Sequence, residues 1–229
     1  MIDVWGADHH GYVSRVLGAF EALGGERAQL ELVIMQFVHL VEGGERKRMG
    51  KRSGEFVTLD ELIDDIGVDA TRFFMLQRSS DTPIDIDLEL ARSTSQENPV
   101  YYVQYAHARV ASILRKAADE GVAGSEEEVV ANAAAGAEAV TEPAERALVR
   151  RLLELGGEIS EAAKRRAPHR LCAYAMATAA DFHAFYRDCR VVGAPEPGAE
   201  AARLGLCVAT KRTIATTLGL LGVSAPERM

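Results

Sequence analysis

The sequence predicts a mainly α protein: a partial α/β segment followed by an all-α helical bundle. Three observations predict this class. Before residue 90, short apolar runs alternate with a helical stretch and paired glycines. Beyond residue 90, apolar residues recur every three to four positions with no strand-like run between them. The chain also has an ordinary globular composition, with 229 residues, 48% hydrophobic and 26% charged. Such a length suits one or two domains and buries a core without covalent staples.

Each element follows from a local pattern. Ile2-Asp3-Val4-Trp5 reads as a short strand, and residues 6–11 read as a loop. Val13, Val16, Leu17 and Phe20 keep helical spacing from Tyr12 to Leu23, and Gly24-Gly25 stops that helix. Residues 30–41 are rich in Val, Ile, Leu and Phe and predict one buried strand, after which Gly43-Gly44 turns the chain. Strand, helix, strand in that order favours a parallel sheet with a crossover. Thr58 followed by Glu61 is a capping-box signature for a helix through Ile66. Asp69 is placed to cap the next helix, Ala70 to Arg78. Ile84, Ile86 and Leu88 alternate with Asp85 and Asp87, the mark of an extended piece.

Four amphipathic helices follow. Val103, Ala106, Val110 and Leu114 mark the first, and Leu148, Leu152, Leu155 and Ile159 the second. Leu171, Tyr174, Phe182 and Phe185 mark the third, and Leu204, Val208, Ile214 and Leu218 the last. Together they predict a bundle. The expected domains are 1–90 and 91–229, with the Ala-, Glu- and Gly-rich stretch 121–140 a loop or insertion.

Charge and cysteine usage exclude several classes. The net charge of −8 argues against a generic nucleic-acid sponge. Its distribution is uneven, because residues 1–120 carry 13 Lys and Arg against 20 Asp and Glu, whereas residues 141–229 carry 13 against 10. Cys172, Cys189 and Cys207 form no Cys-x-x-Cys pair, so neither zinc nor a disulfide scaffold is expected. Residues 1–6 lack the basic start and apolar stretch of a secretory leader. No run approaches the ~20 apolar residues of a membrane span. A cytoplasmic location without membrane attachment is therefore expected.

The most informative segment is Gly43-Gly44-Glu45-Arg46-Lys47-Arg48-Met49-Gly50-Lys51-Arg52-Ser53-Gly54, where five of the seven residues from Arg46 to Arg52 are cationic. Glycines let the backbone approach a ligand, and Lys and Arg carry the charge that phosphoryl groups need. A solvated hairpin tip is the plain alternative. Arg48-Met49-Gly50-Lys51-Arg52 resembles the Lys-Met-Ser-Lys-Ser loop of class I aminoacyl-tRNA synthetases. Asp81-Thr82-Pro83-Ile84-Asp85-Ile86-Asp87-Leu88 and Glu97-Asn98-Pro99-Val100-Tyr101-Tyr102-Val103-Gln104-Tyr105 narrow the resemblance to arginyl-tRNA synthetases, as does the terminal Leu221-Gly222-Val223-Ser224-Ala225-Pro226-Glu227-Arg228-Met229. It runs over the whole chain except residues 121–140.

That resemblance implies a fold and roles. The first region becomes the C-terminal part of a Rossmann-like catalytic domain, and the second a helical DALR-type anticodon-binding domain. Lys51, with Arg48, would act on ATP phosphates during adenylate formation. Met49 and Gly50 would share that ATP contact, although Gly50 lacks the hydroxyl of the usual serine. Asp8 and His9 match the segment that approaches the ATP nucleoside at the end of a strand. For Asp8-His9-His10 a surface loop and a metal site are the rival readings, and the adjacent spacing disfavours metal. ATP is implied as substrate, with Mg2+ carried on it. Arginine and an arginine tRNA complete the implied partners.

In the helical region the resemblance implies tRNA contact. Single-stranded RNA loops are read by stacking on aromatic or guanidinium planes and by hydrogen bonds to base edges. Tyr101, Tyr102, Gln104 and Arg109 offer these groups on one helix, and Tyr186 and Arg190 on another, with Met229 as an apolar contact. Tyr105 and Phe185 read better as core. Lys164-Arg165-Arg166 and Lys211-Arg212 read either as solvated faces or as contacts to the tRNA backbone. The family's other signature, His-x-Gly-His, does not occur in the sequence. The expectation is thus a portion that needs the N-terminal half of the catalytic domain for activity. A non-catalytic, stand-alone tRNA-binding module is the alternative.

Overall fold

The computed structural model describes residues 1–47 and 57–229, so Arg48, Met49, Gly50 and Lys51 lie outside the described residues. The chain forms two compact units, residues 1–66 with 78–92, and residues 67–77 with 93–229.

In the first unit, β1 (Ile2–Gly6) leads through a 3-10 turn (Ala7–Tyr12) into α1 (Val13–Ala22) and β2 (Glu31–Met35). β1 and β2 pair in parallel from Ile2 with Glu31 to Gly6 with Met35, as the strand–helix–strand order predicts. The predicted single strand over 30–41 is instead two. β3 (Val38–Glu42) belongs to a different sheet, ordered β4-β3-β5, with β4 (Glu45–Arg46) antiparallel and β5 (Ile84–Asp87) parallel to β3. The break falls at Gln36 and Phe37, whose backbone groups bond Ser80 and Ile84 at 2.8 and 3.0 Å. Continuous apolar character could not reveal that exchange of partners, because both halves are strand. Gly43 and Gly44 make the two-residue turn with φ of 61° and 80°. Positive φ at both central positions is the hairpin geometry that matches strand twist.

α2 (Leu59–Leu76) begins at the predicted capping box. The Thr58 amide donates to Glu61 Oε2 at 2.7 Å, and the Glu61 amide donates to Thr58 Oγ1 at 3.2 Å. At Gly67 the backbone leaves helical values, with φ 80° and ψ 162°. Residues up to Ile66 belong to the first unit, and Gly67–Gln77 pack in the second. Asp69 does not cap its own helix. Its carboxylate accepts instead from Gln104 Nε2 at 2.8 Å and from the Ser224 amide at 3.0 Å. α3 (Leu88–Arg92) then closes the first unit, where Arg92 joins Asp65 and Glu42 at 2.5 and 3.0 Å.

The second unit is the bundle: α4 (Pro99–Asp119), α5 (Glu126–Ala133), α6 (Pro143–Leu153), α7 (Leu155–Arg165), α8 (His169–Asp188) and α9 (Ala199–Leu221). Asn98 caps α4 by accepting the Val100 amide at 3.2 Å, with Pro99 in the first turn. The stretch 121–140 is not a loop. Ser125 and Glu128 form a capping box for α5, and a 3-10 turn (Ala134–Ala139) follows. A Cβ at Gly136 in that turn would collide with the Gly198 carbonyl, so the turn abuts the start of α9. The predicted helix through 148–162 divides at Glu154 into α6 and α7.

α9 is 23 residues long, with a mean hydropathy of 1.2 in its most apolar window. That is long and apolar enough to cross a membrane, contrary to the expectation that no such run exists. Of that window 56% is buried within the protein. Leu204, Cys207, Val208, Ile214 and Leu218 are at most 3% exposed, and α4, α5, α6 and α8 all pack on this helix. The buried hydroxyls of Thr210 and Thr217 donate back to the carbonyls of Leu206 and Thr213 at 2.7 and 2.8 Å.

Arg203 of α9 is also buried. Its Nε donates to Glu145 Oε1 on α6 at 2.6 Å, with side chains 6% and 1% exposed. Removing one partner of a buried pair leaves an uncompensated charge and costs about 3–5 kcal/mol. Glu145→Ala should therefore lower the stability of this bundle by that order in urea unfolding, while Glu161→Ala on the surface changes it by about 0–1 kcal/mol.

Candidate nucleic-acid interface

Two helices of the bundle carry the candidate site. On α4, Tyr101, Tyr105 and Arg109 are spaced four apart and so form one stripe. The Tyr101 and Tyr105 rings stack at 6.2 Å with 13° between planes. On α8, Phe182 and Tyr186 repeat that spacing and stack at 6.1 Å and 21°. Arg109 joins the helices, its guanidinium lying 5.0 Å from the Tyr186 centroid and 5.8 Å from that of Tyr105. A guanidinium over an aromatic face is attracted by the ring quadrupole. Arg109 and Tyr186 are exposed, and Tyr101, Tyr102 and Tyr105 are half-buried. Tyr105 thus belongs to this strip rather than to the core. Phe185 is fully buried, as expected.

Past Tyr186 the strip opens into a cleft of about 230 Å3, lined by Ile113 and Lys116 of α4 and by Tyr186, Arg190 and Val192 among others. Pockets for drug-sized ligands run ~300–1,000 Å3, so this one is smaller than those. Arg190 is exposed, and its Nε donates to the Val192 carbonyl at 3.1 Å.

Two predicted residues lie elsewhere. Gln104 is 8% exposed, and its amide donates to Asp69, to the Ser224 carbonyl at 3.0 Å and to the Ser224 hydroxyl at 3.2 Å. Its hydrogen bonds tie the C-terminal segment to α4. The same segment is held where His107 Nδ1 donates to the Pro226 carbonyl at 2.8 Å and where Lys211 meets Glu227 at 2.6 Å. Met229 is 56% exposed at its end. Among the described residues, no contact joins Gln104 or Met229 to the aromatic strip.

The basic runs are neutralised. Lys164 and Arg165 share Glu161 at 3.6 and 2.9 Å. Lys211 and Arg212 meet Glu126 at 3.0 and 3.2 Å. Arg146 and Arg150 of α6 instead are exposed and have no side-chain ion pair or hydrogen bond among the described residues. They border a cleft of about 520 Å3 with Val140, Thr141, Pro143 and Val149. Sequence spacing hides this, since Glu142 and Glu154 stand four residues away on either side. Glu142 is taken by the α6 capping box, and Glu154 by Arg151 at 2.7 Å.

In the first unit Asp8 and His9 lie in the 3-10 turn at the carboxyl end of β1, where ligands of open α/β sheets bind. Both are exposed, with His9 Nε2 3.7 Å from Asp8 Oδ2. The His9 ring lies edge-on to Trp5 at 6.3 Å. Among the described residues no group of three His, Cys, Asp or Glu is placed to hold a metal ion. The three cysteines are free and buried, and burial pushes the Cys172 and Cys207 thiols up to about 12, which leaves them protonated.

His183 is the residue that sequence reading missed. It packs among Tyr102 at 5.0 Å, Phe182 at 5.6 Å and Tyr105 at 5.9 Å, and its Nε2 is buried without a hydrogen-bond partner among the described residues. Its place three residues before Tyr186, on the stripe facing α4, was the available signal. Burial, then the Arg109 charge, lowers its pKa below the ordinary value. The sign follows from linkage. Above the unfolded value of about 6.5 both states are neutral and stability is full. As pH falls, the unfolded chain takes the proton first, so stability is lost down to the depressed folded value. His183→Phe should remove this component, so its urea midpoint should fall less than the unmodified chain's between pH 7 and 5. Identical slopes would contradict it.

Residues 103–229 match the DALR anticodon binding domain family. The chain is 48% identical over 231 residues to an arginine–tRNA ligase of Desulfitobacterium hafniense, and 48% over 229 residues to one of Moorella thermoacetica. It spans about 40% of the length of these curated relatives, and all of its own. The whole chain also superposes on 41% of the Thermus thermophilus arginyl-tRNA synthetase, with a TM-score of 0.75 and 29% identity. A Campylobacter jejuni structure described as an arginyl tRNA synthetase gives a TM-score of 0.83 at 31% identity over 47% of its chain. The chain belongs to the DALR anticodon-binding domain family, and over its full length it resembles the C-terminal portion of arginyl-tRNA synthetases.

Proposed function

We propose that this chain is the tRNA-facing portion of a cytoplasmic arginine–tRNA ligase. The observation that carries this reading is the strip of stacked tyrosines bridged by Arg109 and ending in the Tyr186–Arg190 cleft. Such a strip offers stacking planes to unpaired bases, the mode by which RNA loops are read. The relatives' names supply the identity of the tRNA. In this reading the strip takes anticodon-loop bases, and Tyr102, Gln104 and Met229 border or support that contact. Arg146 and Arg150, whose charges are uncompensated, meet the phosphate backbone.

The same reading gives the basic loop its task. Lys51, with Arg48, steadies negative charge on the pyrophosphate leaving ATP, helped by Met49 and Gly50. Asp8 and His9 approach the nucleoside. In the reaction the arginine carboxylate attacks the ATP α-phosphate and displaces pyrophosphate, and a terminal ribose hydroxyl of the tRNA then attacks the adenylate carbonyl and displaces AMP. Positioning and electrostatic stabilisation dominate such chemistry. The second reading is a tRNA-binding module without catalysis. We expect no ATP–pyrophosphate exchange from this chain alone on either reading, so exchange that appears once the N-terminal half of the catalytic domain is supplied separates the two.

Binding tests the interface. Stacking on an aromatic ring contributes about 1–3 kcal/mol per base. Tyr186→Ala should thus raise the Kd for an arginine tRNA by roughly five- to a hundred-fold, and equal affinity for unrelated tRNAs would sink anticodon reading. Arg146→Ala with Arg150→Ala should weaken all tRNAs alike. It should also lower the log–log salt slope by about 0.7–0.9 for each phosphate that is no longer neutralised.

A further inference from the structure

We propose that Arg203 is a positioning residue for the RNA cleft, acting through the backbone of Arg190. This rests on the reading of that cleft as an RNA site. Arg203 Nη1 donates to the Arg190 carbonyl at 2.9 Å, while its Nε is committed to Glu145 at 2.6 Å. A buried ion pair is weak evidence of stabilisation, because apolar residues of similar volume often replace one at no loss. An apolar side chain cannot, however, hold a carbonyl oxygen in a segment outside any helix or strand.

That segment sets one wall of the cleft. α8 ends at Cys189, whose backbone is extended at φ −120° and ψ 122°. From there side chains alternate. Cys189 and Val191 are each 3% exposed, whereas Arg190 is exposed and Val192 half-buried. In extended chain a slip of one residue exchanges the inner and outer sets. It would turn Arg190 inward and Val191 outward. The Arg203 bond to the Arg190 carbonyl fixes the phase, and the Gly193 amide, donating to Glu200 Oε1 at 2.6 Å, fixes the far end. Arg190 then folds back to Val192, and a Cβ at Gly193 would meet its guanidinium at 2.8 Å. Glu145 sets Arg203 in turn, since its other oxygen accepts the Glu142 amide at 2.9 Å in the α6 capping box.

The test uses the full chain with a hairpin RNA carrying the anticodon loop of an arginine tRNA. A matched hairpin with abasic loop positions serves as the control. Glu145→Leu with Arg203→Met removes the pair, the 3.6 Å contact of Arg203 Nη1 with Glu196 Oε2 in the same segment, and the carbonyl bond together. Arg203→Lys keeps a cation for Glu145 but gives up the fork that reaches Arg190. For whichever variant unfolds cooperatively near the unmodified midpoint, affinity for the intact loop should fall about ten-fold. Affinity for the abasic control and the salt slope should stay unchanged, because every phosphate contact is retained. A folded Arg203→Lys chain that still prefers the intact loop as strongly as the unmodified chain would overturn the proposal. Tyr186→Ala, measured alongside, separates the two ideas. If it too leaves the preference intact, the RNA reading of the cleft fails rather than the positioning role.

Discussion

The bundle depends on one constraint: α9 is apolar over most of its circumference and must be covered on nearly every side. A helix with one apolar stripe needs one partner, whereas α9 requires α4, α5, α6 and α8 together. That demand places α4 and α8 side by side, and α8 packs on α6 and α7 as well. Tyr101 and Tyr105 of α4 and Tyr186 of α8 remain accessible along their shared edge, with Phe182 buried beneath Tyr186, so covering α9 also assembles the strip. Helix packing thus produces the strip itself, and the segment after α8 adds one wall of the cleft at its end.

The polar groups that α9 carries into the core are each satisfied, and the manner differs. The threonines bond within the helix and so add nothing to its neighbours' placement. Arg203 bonds outward to α6 and to the segment after α8, so the same buried charge that must be compensated also orders the chain beside Tyr186. Lys211, 19% exposed, does comparable work at the other end, where Glu126 of α5 and Glu227 of the C-terminal segment converge on it. Several cations of this late, arginine-rich region, namely Arg151, Arg170, Arg203 and Lys211, are therefore internal fasteners. The mildly basic balance of residues 141–229 overstates what is free to meet RNA.

Much of this was legible in the sequence. The capping box at Thr58 and Glu61, the Gly43-Gly44 turn and the apolar faces of α4, α8 and α9 are local signals, and local signals survive into the fold. What escaped was set by partners distant in sequence. Asp69 reads as a helix cap until Ser224 and Gln104 arrive to claim it. The strand at 30–41 looks continuous until Ser80 and Ile84 take its middle. Lys164, Arg165, Lys211 and Arg212 look available until Glu161, Glu126 and Glu227 close on them. Conversely Arg146 and Arg150 look paired in sequence, yet among the described residues they are not, because Glu142 and Glu154 are engaged elsewhere. Within the site, Tyr101, Arg109, Tyr186 and Arg190 were found by residue type, while Tyr105 and His183 needed the packing of α4 on α8.

The central claim is that the tyrosine and arginine strip on α4 and α8 stacks unpaired RNA bases. The most direct measurement is NMR of the tyrosine rings during titration with the anticodon-loop hairpin. The account predicts upfield ring-current shifts at Tyr101, Tyr105 and Tyr186, with Tyr174, buried on the far side of α8 with its hydroxyl on the Arg151 carbonyl at 2.8 Å, left unmoved. Saturable binding with the three strip tyrosines unshifted, and changes confined to arginine and lysine resonances, would contradict it.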